Sequence, residues 1–554
     1  MAHVELILVL LSACVALRVV GERFGVPHPT LLVLGGALVA LAPGLPRPGL
    51  EPDVIFLLFV PPLLYRASST APLREFRRQF WPILELSVPL VLVTMAAVAA
   101  AAHALLPGYT WPAAFVLGAI VSAPDPVAAM AVIRPLRVPA AVTAVLEGEG
   151  IFNDATALVA YRMAVAAVVT GTFSLTRAGT EFVWTAVLGV ALGLLVGWAV
   201  LAIRQRVQDL PLVDNSISLL TPFAAYLPAT ALGASGVLAV IAAGIYVGRQ
   251  LARARAPATR IQTDATWSLV TFLLESLAFI LMGLELPHLV REAGWDSLPR
   301  WLGFSALITL VVILVRIAWL WPTGVDARRL LPRGRRGLQS RRQIALVGWT
   351  GVRGDDSVVI ALALPALTAA GAPFPARGLT IFITFGVVFA TLVLQGLTIK
   401  PLVRLLGLHG DNEPAREEAH ARQVLAKAGL RRLEELAGSS GSSTEILDHF
   451  RQRQGRLVEL WNRREQLLHD ALIAQPSADD GDGALIEAHS PAYHRLRAAM
   501  IAAERHAAVE LCEGGLIGTD LLRRLQRDLD LETILLSDAA HDRQEARQQE
   551  PVSL

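Results

Sequence analysis

The stretch GEGIFNDATALVAYR, residues 148–162, places acidic and amide side chains inside an apolar helical run that extends from about Pro139 to Thr170. A carboxylate at the depth of a lipid bilayer is energetically costly, and by default it marks a path for ions or protons. Asp154 is therefore the leading candidate for a functional group. The interrupted apolar segments SAPDPVAA (122–129) and TGVRGDDS (350–357) carry charge and irregular backbone at a similar depth. Together they predict a membrane transporter that carries a cation and a proton on one shared carboxylate.

The composition divides the chain into two parts. Of the 554 residues, 54% are hydrophobic and 17% charged, which is too apolar for a soluble protein of this size. Residues 411–554 hold 18 Lys and Arg against 26 Asp and Glu, whereas the rest of the chain is basic. We therefore predict a transmembrane domain at 1–410 and an acidic, helical, regulatory cytoplasmic tail at 411–554. Within the tail, GSSGSS (438–443) and PSADDGDG (476–483) are predicted linkers between helices. The two cysteines, Cys14 and Cys512, fall in different parts and indicate no disulfide framework.

Hydropathy predicts an all-α polytopic protein with about 13 transmembrane helices. The predicted spans are 4–20, 29–45, 52–66, 80–106, 112–133, 139–170, 182–204, 214–232, 234–250, 264–287, 299–322, 342–369 and 376–406. Alternate loops hold 21 arginines on one side and 5 on the other. Because basic loops stay in the cytoplasm, this asymmetry predicts an outside N-terminus and a cytoplasmic tail in the cell membrane.

Spans 5 and 12 are predicted to be broken near their middles. Pro124 and Pro126 flank Asp125 in span 5, and two prolines so close together open a helix. In span 12 the break is Gly-Val-Arg-Gly at 351–354. The breaks lie seven spans apart, so they cross the bilayer in opposite directions. This is the pattern of two inverted six-helix repeats with crossing broken helices, which points to a transport site.

The residues around the breaks receive roles from their chemistry. Asp154 is predicted to bind either the transported cation or a proton, and Asn153 lines the site with an uncharged oxygen. We expect Glu149 to pair with Arg353, because a buried arginine needs an anionic partner. Asp125 has two open roles, as an ion ligand or as a helix cap.

These residues carry a resemblance to a known family. The stretch 122–162 resembles the signature of the sodium/proton exchanger branch of the monovalent cation/proton antiporters, and so do FVPPLLY (59–65), LLESLAFILMGLEL (273–286) and WTGVRG (349–354). The tail resembles that of bacterial members. The resemblance implies 13 helices, a core that moves like an elevator against a dimerisation domain, and a homodimer. It also implies electroneutral exchange of one sodium ion for one proton, with Asp154 as the ligand of the transported Na+.

Further residues are candidates for the same site. Ser122 is the first residue of SAPDPVAA, Glu147 directly precedes GEGIFNDATALVAYR as a residue of the site's mouth, and Glu275 matches an acidic position of the family. The expected partners are the cation, the proton, the lipid bilayer and a second copy of the chain. No cofactor and no nucleic acid are predicted.

Two departures from the family pattern bear on selectivity and stoichiometry. Gly150 stands where the family often has Ser, which removes a hydroxyl ligand. Asp355 and Asp356 stand where small apolar residues are usual. They are candidates to compete for Arg353, to bind a cation or to titrate during transport.

Three alternatives stay open at this point. A K+/H+ antiporter would use the same residues, and a channel-like or regulatory relative would share the fold. An intramembrane aspartyl protease is disfavoured, because the GDD at 354–356 lacks the Gly-x-Gly-Asp spacing of that class.

Overall fold

The computed structural model is α-helical. It describes residues 2–24, 28–40, 52–71, 79–133, 136, 138–171, 175–207, 210–254, 257–330, 340–408, 413–437, 444–469 and 491–549. Within these ranges the other regular features are a short 3-10 turn at Trp295–Ser297 and an isolated bridge between Leu367 and Pro373. The predicted all-α class is confirmed.

Each of the 13 predicted spans coincides with one helix or with a pair of consecutive helices. They are α1 (Ala2–Phe24), α2 (His28–Val39), α3 (Pro52–Ser69), α4 (Phe80–Ser87), α5 (Pro89–Leu105), α6 (Trp111–Ser122), α7 (Pro126–Ile133), α8 (Ala140–Thr170), α9 (Leu175–Arg204), α10 (Pro211–Ala231), α11 (Gly236–Ala254), α12 (Pro257–Ala293), α13 (Leu298–Leu330), α14 (Arg341–Trp349), α15 (Asp355–Leu362) and α16 (Arg377–Leu406). Among the described residues, six helical stretches are long and apolar enough by themselves to cross a membrane: 80–105, 141–170, 183–204, 259–291, 295–320 and 377–406. The chain is a polytopic membrane protein.

Local sequence signals set the ends of the helices that position the site. The Thr110 hydroxyl caps α6, and Pro112 occupies its first turn, where no backbone donor is needed. Ser340 and Gln343 form a reciprocal capping box at the start of α14. The long helix α8 ends at Gly171, which adopts the left-handed conformation that glycine reaches without strain.

Both predicted breaks are present. The chain leaves α6 at Ser122 and begins α7 at Pro126, so Ala123, Pro124 and Asp125 form the first break. The second break runs from Thr350 to Gly354, between α14 and α15. Predicted spans 5 and 12 therefore each consist of two half-helices joined by non-helical backbone.

The chain divides into two compact units. The first comprises Met1–Val207, Leu212–Ala252 and Ala265–His409, and the second comprises Gln208–Pro211, Arg253–Asp264 and Gly410–Leu554. The assignment of these parts as a transporter domain and a regulatory tail stays a prediction. The predicted linkers at 438–443 and 476–483 lie outside the described residues. The described part of the tail forms α17 (Glu413–Ala437), α18 (Thr444–His469), α19 (Pro491–Glu513) and α20 (Thr519–Gln549).

A buried polar network joins the four tail helices. Arg497 of α19 donates to both Glu504 and Glu532, and Gln454 of α18 donates to Glu504 and to the Ala426 carbonyl of α17. Burial lowers the pKa of Arg497, but the hydrogen bonds and charges of the two glutamates outweigh it and hold that pKa above its usual value. Burial also raises the pKa of Glu504, against the opposing effect of Arg497.

The second unit also contains the first residues of α12. There Arg260 donates two hydrogen bonds to the Asp530 carboxylate of α20, one of them 2.7 Å long. Arg505 of α19 donates to the same carboxylate at 2.9 Å. The Asp530 side chain is only 2% exposed, and the two arginines supply the positive charges that a buried carboxylate requires as partners.

Candidate functional site

The two broken helices meet at their breaks. The backbone N–H of Asp125 donates to the Val352 carbonyl at 2.7 Å. From the half-helix after the second break, the Ser357 hydroxyl donates to the Ile120 carbonyl at 2.8 Å. Backbone groups freed by the breaks are thus bonded across the crossing, as irregular backbone at membrane depth requires.

Arg353 contributes further side-chain donors to this crossing. Its Nε donates to the Val121 carbonyl at 2.9 Å, one terminal nitrogen donates to the Ser122 carbonyl at 3.1 Å, and the other donates to the Gly351 carbonyl. Val121 and Ser122 are the last residues of α6, where carbonyl groups lack intrahelical partners and the helix dipole favours a positive charge. Arg353 therefore caps the half-helix α6.

The predicted ion pair between Glu149 and Arg353 is wrong. Glu149 of α8 accepts two hydrogen bonds from Arg316 of α13, of which the one from the second terminal nitrogen is 2.7 Å long. The Arg316 Nε also donates to the Val347 carbonyl of α14 at 3.1 Å. The three hydrogen bonds of the Arg353 side chain go to carbonyl oxygens instead. The pair thus connects α8, α13 and α14.

Arg316 is the residue that sequence reasoning missed. It lies in the apolar run LVVILVRIAWLW (310–321), and its side chain is 2% exposed. A lone cation in the middle of a predicted span carries the same signal as Asp154 and requires an anionic partner. That signal would have nominated it.

Asp154 and Asn153 are both buried on α8, with residue exposures of 9% and 0%. The Asn153 amide nitrogen donates to the Pro124 carbonyl at 2.9 Å, which ties α8 to the first break. Its amide oxygen is buried and has no hydrogen-bond donor among the described residues. An uncharged acceptor beside the break is a suitable ligand for a hard cation.

Close packing seats Asp125 in the crossing. A Cβ atom on Gly354 would collide with the Asp125 carboxylate, so the glycine allows this carboxylate to lie against the second break. A Cβ on Gly150 would likewise collide with the ring of Pro126. The residue that departs from the family pattern thus has a packing role, since it lets α8 approach the start of α7.

The remaining predicted residues fall at different places. Asp356, Asp125 and Asp355 all lie within electrostatic reach of the Asp154 carboxyl. Glu275 of α12 is half-buried and within electrostatic reach of Asp125, Asp356 and Arg18. The Ser122 hydroxyl donates to the Ala119 carbonyl of its own helix, and Glu147 is half-buried on α8. In the described ranges no three His, Cys, Asp or Glu side chains are arranged to hold a metal ion.

The site therefore combines a buried carboxyl with a crossing of two broken helices. The carboxyl can bind a proton or a cation, and the crossing supplies carbonyl and amide oxygens. These are the chemical requirements of an ion-translocating centre.

Comparison with known proteins agrees with this chemistry. The family model described as sodium/hydrogen exchanger, transmembrane, matches residues 8–405. An uncharacterized Na+/H+ exchanger of Mycobacterium tuberculosis is 35% identical over 546 residues, which covers 96% of each chain. A sodium, potassium, lithium and rubidium/H+ antiporter of Bacillus pumilus is 31% identical over 445 residues, covering 77% of this chain and 65% of the relative.

The fold is also similar to a solved structure. The sodium/proton antiporter MjNhaP1 of Methanocaldococcus jannaschii superposes with a TM-score of 0.57 at 18% identity, covering 74% of this chain and 100% of the other. At this identity the likeness concerns the fold. The family match and the bacterial relatives carry the assignment: the chain belongs to the sodium/hydrogen exchanger family of monovalent cation/proton antiporters, which are transporters and not enzymes.

Proposed function

We propose that the chain exchanges a monovalent cation, sodium in the first place, for a proton, one for one and without net charge movement. The observation that carries the proposal is the buried Asp154 carboxyl beside the crossing of two broken helices. A single carboxyl binds either a proton or a cation. Each ion therefore competes with the other, and competition alone makes the transport rate depend on pH.

The surrounding residues have supporting roles in this proposal. The amide oxygen of Asn153 and the carboxylate of Asp125 are further oxygen ligands suggested by the packing. Arg353 and the Glu149–Arg316 pair hold the crossing in place and do not bind the cargo. Closing and opening of the site would occur by an elevator-type movement of the core in a homodimer, as the family resemblance implies.

The location and orientation belong to the same proposal. We place the protein in the cell membrane, with its N-terminus outside and its tail in the cytoplasm, because 21 arginines lie on one side of the predicted spans and 5 on the other. No cofactor is proposed.

Potassium is the second candidate cargo. The Bacillus pumilus relative is named for sodium, potassium, lithium and rubidium, so the selectivity of related sites extends beyond sodium. At Gly150 a side-chain hydroxyl is also missing, which reduces the ligands available for a small cation. Flux measurements with each cation separate the candidates.

The test uses purified protein in proteoliposomes. We expect an imposed proton gradient to drive sodium uptake against its own gradient, measured with a pH-sensitive dye and radioactive sodium, and no current on a solid-supported membrane. A channel would not move sodium uphill. Asp154→Asn should abolish exchange, and proton flux driven by sodium in that variant would refute the assignment of Asp154.

A further inference from the structure

Arg162 is a charged residue that the exchange mechanism above does not use. It lies on α8, eight residues after Asp154 and about 12 Å farther along the same helix. Its side chain is half-buried. Because a charge inside a spanning helix is costly, such a residue has a functional role by default.

The Arg162 guanidinium lies between two aromatic rings. One terminal nitrogen donates to the Tyr226 hydroxyl of α10 at 2.6 Å. The central guanidinium carbon is 5.2 Å from the centroid of the Phe56 ring of α3 and 5.8 Å from that of Tyr226, which are cation–π distances. In the part of the chain that the structure describes, these two rings and the hydroxyl are the partners of the guanidinium.

One set of helices is bonded to the crossing of the broken helices. The Ser87 hydroxyl of α4 donates to the Glu149 carbonyl of α8 at 3.2 Å, and the Glu149 side chain pairs with Arg316 of α13. The Arg353 backbone N–H in the second break donates to the Thr391 hydroxyl of α16 at 3.0 Å. We call α4, α8, α13, α16 and the four half-helices of the two broken spans the crossing group.

A second set of helices is bonded together separately. Arg204 of α9 donates two hydrogen bonds of 2.6 Å to the Asp214 carboxylate of α10. The Trp267 indole of α12 donates to the Ser218 hydroxyl of α10 at 3.0 Å, and its ring centroid is 5.4 Å from that of Tyr65 of α3. We call α3, α9, α10 and α12 the flanking group.

The Arg162 contact joins the two groups, and it differs in kind from the charged contacts within them. Within the groups, Glu149–Arg316 and Arg204–Asp214 are buried ion pairs with two hydrogen bonds each. Arg162 instead makes a single hydrogen bond to a neutral hydroxyl and contacts ring faces, which are weaker interactions than a bidentate ion pair. A contact of this strength can break and form again in each transport cycle.

The three residues of the contact lie toward the same side of the membrane. In the predicted orientation, α3 begins outside, and α8 and α10 end outside. Phe56 lies in the first turns of α3, Tyr226 five residues before the end of α10, and Arg162 eight residues before the end of α8. The contact is therefore on the outer side of Asp154.

The ring of Tyr226 is held in place by the next helix. A Cβ atom on Gly236, the first residue of α11, would lie 2.7 Å from this ring, so the start of α11 packs directly against it. The guanidinium of Arg162 thus contacts a ring that is fixed from the other side.

We propose that the contact of Arg162 with Phe56 and Tyr226 closes the outer side of the transport site, and that it breaks each time the site opens outward. Arg162 is a positioning residue, because it controls the access of ions to Asp154 and does not bind them. This inference rests on the proposed exchange function, since it assigns named residues to one step of alternating access.

The first experiment measures outward opening directly. Ala229 lies three residues after Tyr226, on the same face of α10, and it is completely buried. The reporter is Ala229→Cys in the full chain, labelled in intact cells with a membrane-impermeant maleimide. The chain without this substitution gives the background from Cys14 and Cys512.

The labelling rate of the reporter follows the fraction of protein that is open to the outside. We expect Arg162→Met to raise this rate by about tenfold, because one cation–π contact and its hydrogen bond are lost. Tyr226→Phe keeps the ring and removes the hydroxyl, so its rise should be smaller. Tyr226→Phe combined with Arg162→Met should give the same rate as Arg162→Met alone.

Arg377→Met is the matched control. Arg377 is at the start of α16, which is also outside in the predicted orientation, and its Nε donates to the Leu364 carbonyl at 3.1 Å. This replacement removes the same charge on the outer side without removing a contact between the groups. The labelling rate should stay at the wild-type value.

The second experiment measures sodium-driven proton flux in right-side-out and everted membrane vesicles. An apparent affinity is weakened in proportion to the fraction of protein that is in the binding-competent state. Arg162→Met should therefore lower the half-saturating sodium concentration on the outer side, by up to about tenfold, and raise it on the inner side. A residue that only stabilises the fold would lower the maximal rate without these opposite shifts.

Folding of each variant is checked by gel filtration. If Ala229→Cys does not fold, the opposite shifts of the sodium concentrations decide the question. If Arg162→Met does not fold, Tyr226→Phe and Phe56→Leu test the same contact from its other side.

The outcomes separate this inference from the proposed function. An unchanged labelling rate in Arg162→Met, or an equal rise in Arg377→Met, overturns the role of the contact while exchange through Asp154 stands. Labelling of the reporter only in everted vesicles overturns its placement on the outer side. Wild-type protein without exchange overturns the proposed function, and the labelling rates still decide whether the contact closes the outer side.

Discussion

The ion pair between Glu149 and Arg316 allows a quantitative test of which arginine neutralises Glu149. The perturbations are Glu149→Leu, Arg316→Met and Arg353→Met, singly and in the two double variants that contain Glu149→Leu. Each replacement has a similar length and no charge. The wild-type Glu149 and Arg316 side chains are each 2% exposed, so removal of one partner leaves the other charge in the protein interior.

The expected magnitudes follow from this burial. Breaking a buried pair by removing one partner destabilises by about 3–5 kcal/mol, whereas replacing both partners with apolar side chains is often close to neutral. The Val347 carbonyl loses its donor in every variant without Arg316, which adds about 1–3 kcal/mol. The lost-charge terms of the two single variants sum to about 6–10 kcal/mol, and the Val347 term cancels in the cycle. The double variant should therefore be much more stable than that sum predicts, with a coupling at or above the upper end of the usual range, which is about 3 kcal/mol.

The assay is SDS-driven unfolding in mixed micelles, followed by tryptophan fluorescence of the 11 tryptophans. The Glu149/Arg353 cycle should give a smaller coupling, because the Arg353 side chain donates to carbonyl oxygens. A larger coupling of Glu149 to Arg353 than to Arg316 would refute the assignment of the pair.

Two further predictions concern packing and pH. Gly150→Ser should destabilise the protein by about 1–3 kcal/mol, because its Cβ would collide with the Pro126 ring. The control is Gly396→Ala, which lies in open space on α16. Equal thermal stability of the two variants would contradict the packing role of Gly150. In the tail, Glu504 has a raised pKa when folded, so its contribution to stability is present below its unfolded value of about 4.3 and is lost as pH rises through the folded pKa. Glu504→Gln lacks this titration. The stability of its tail relative to that of the wild type should therefore be highest near neutral pH and should fall on acidification. Hydrogen exchange of α19 measures this difference, and a difference that does not change with pH would contradict the prediction.

The helices and the two breaks were predictable because they depend on local properties. Apolar runs of spanning length identify the helices. Pro124 and Pro126 remove backbone donors, and Gly351 and Gly354 flank the other break. These signals do not depend on which other helices pack against each segment, so they can be read from the sequence of that segment alone.

The partner of Glu149 was not predictable in the same way. Hydropathy places both Arg316 and Arg353 at membrane depth, but the choice between them depends on which carbonyl groups the broken helices leave unpaired. Arg353 satisfies the end of α6 only because the two breaks cross. That arrangement is a property of the tertiary fold.

The same limit applied to the acidic residues after the second break. Asp355 and Asp356 are adjacent in sequence, yet on a helix their side chains point about 100° apart. Asp355 is buried and Asp356 is half-buried, and this difference depends on where α15 begins. Sequence nominated both residues and could not rank them.

The contact between Arg260 and Asp530 affects how deletion experiments are interpreted. A chain shortened before α20 keeps both arginines but lacks the carboxylate that they share, and one of these arginines, Arg260, lies near the start of α12. An altered transport rate in such a chain would report a change at the start of α12 as well as the loss of the tail. Asp530→Asn alters the contact while it keeps the tail, and it is therefore the cleaner variant for assigning a regulatory effect.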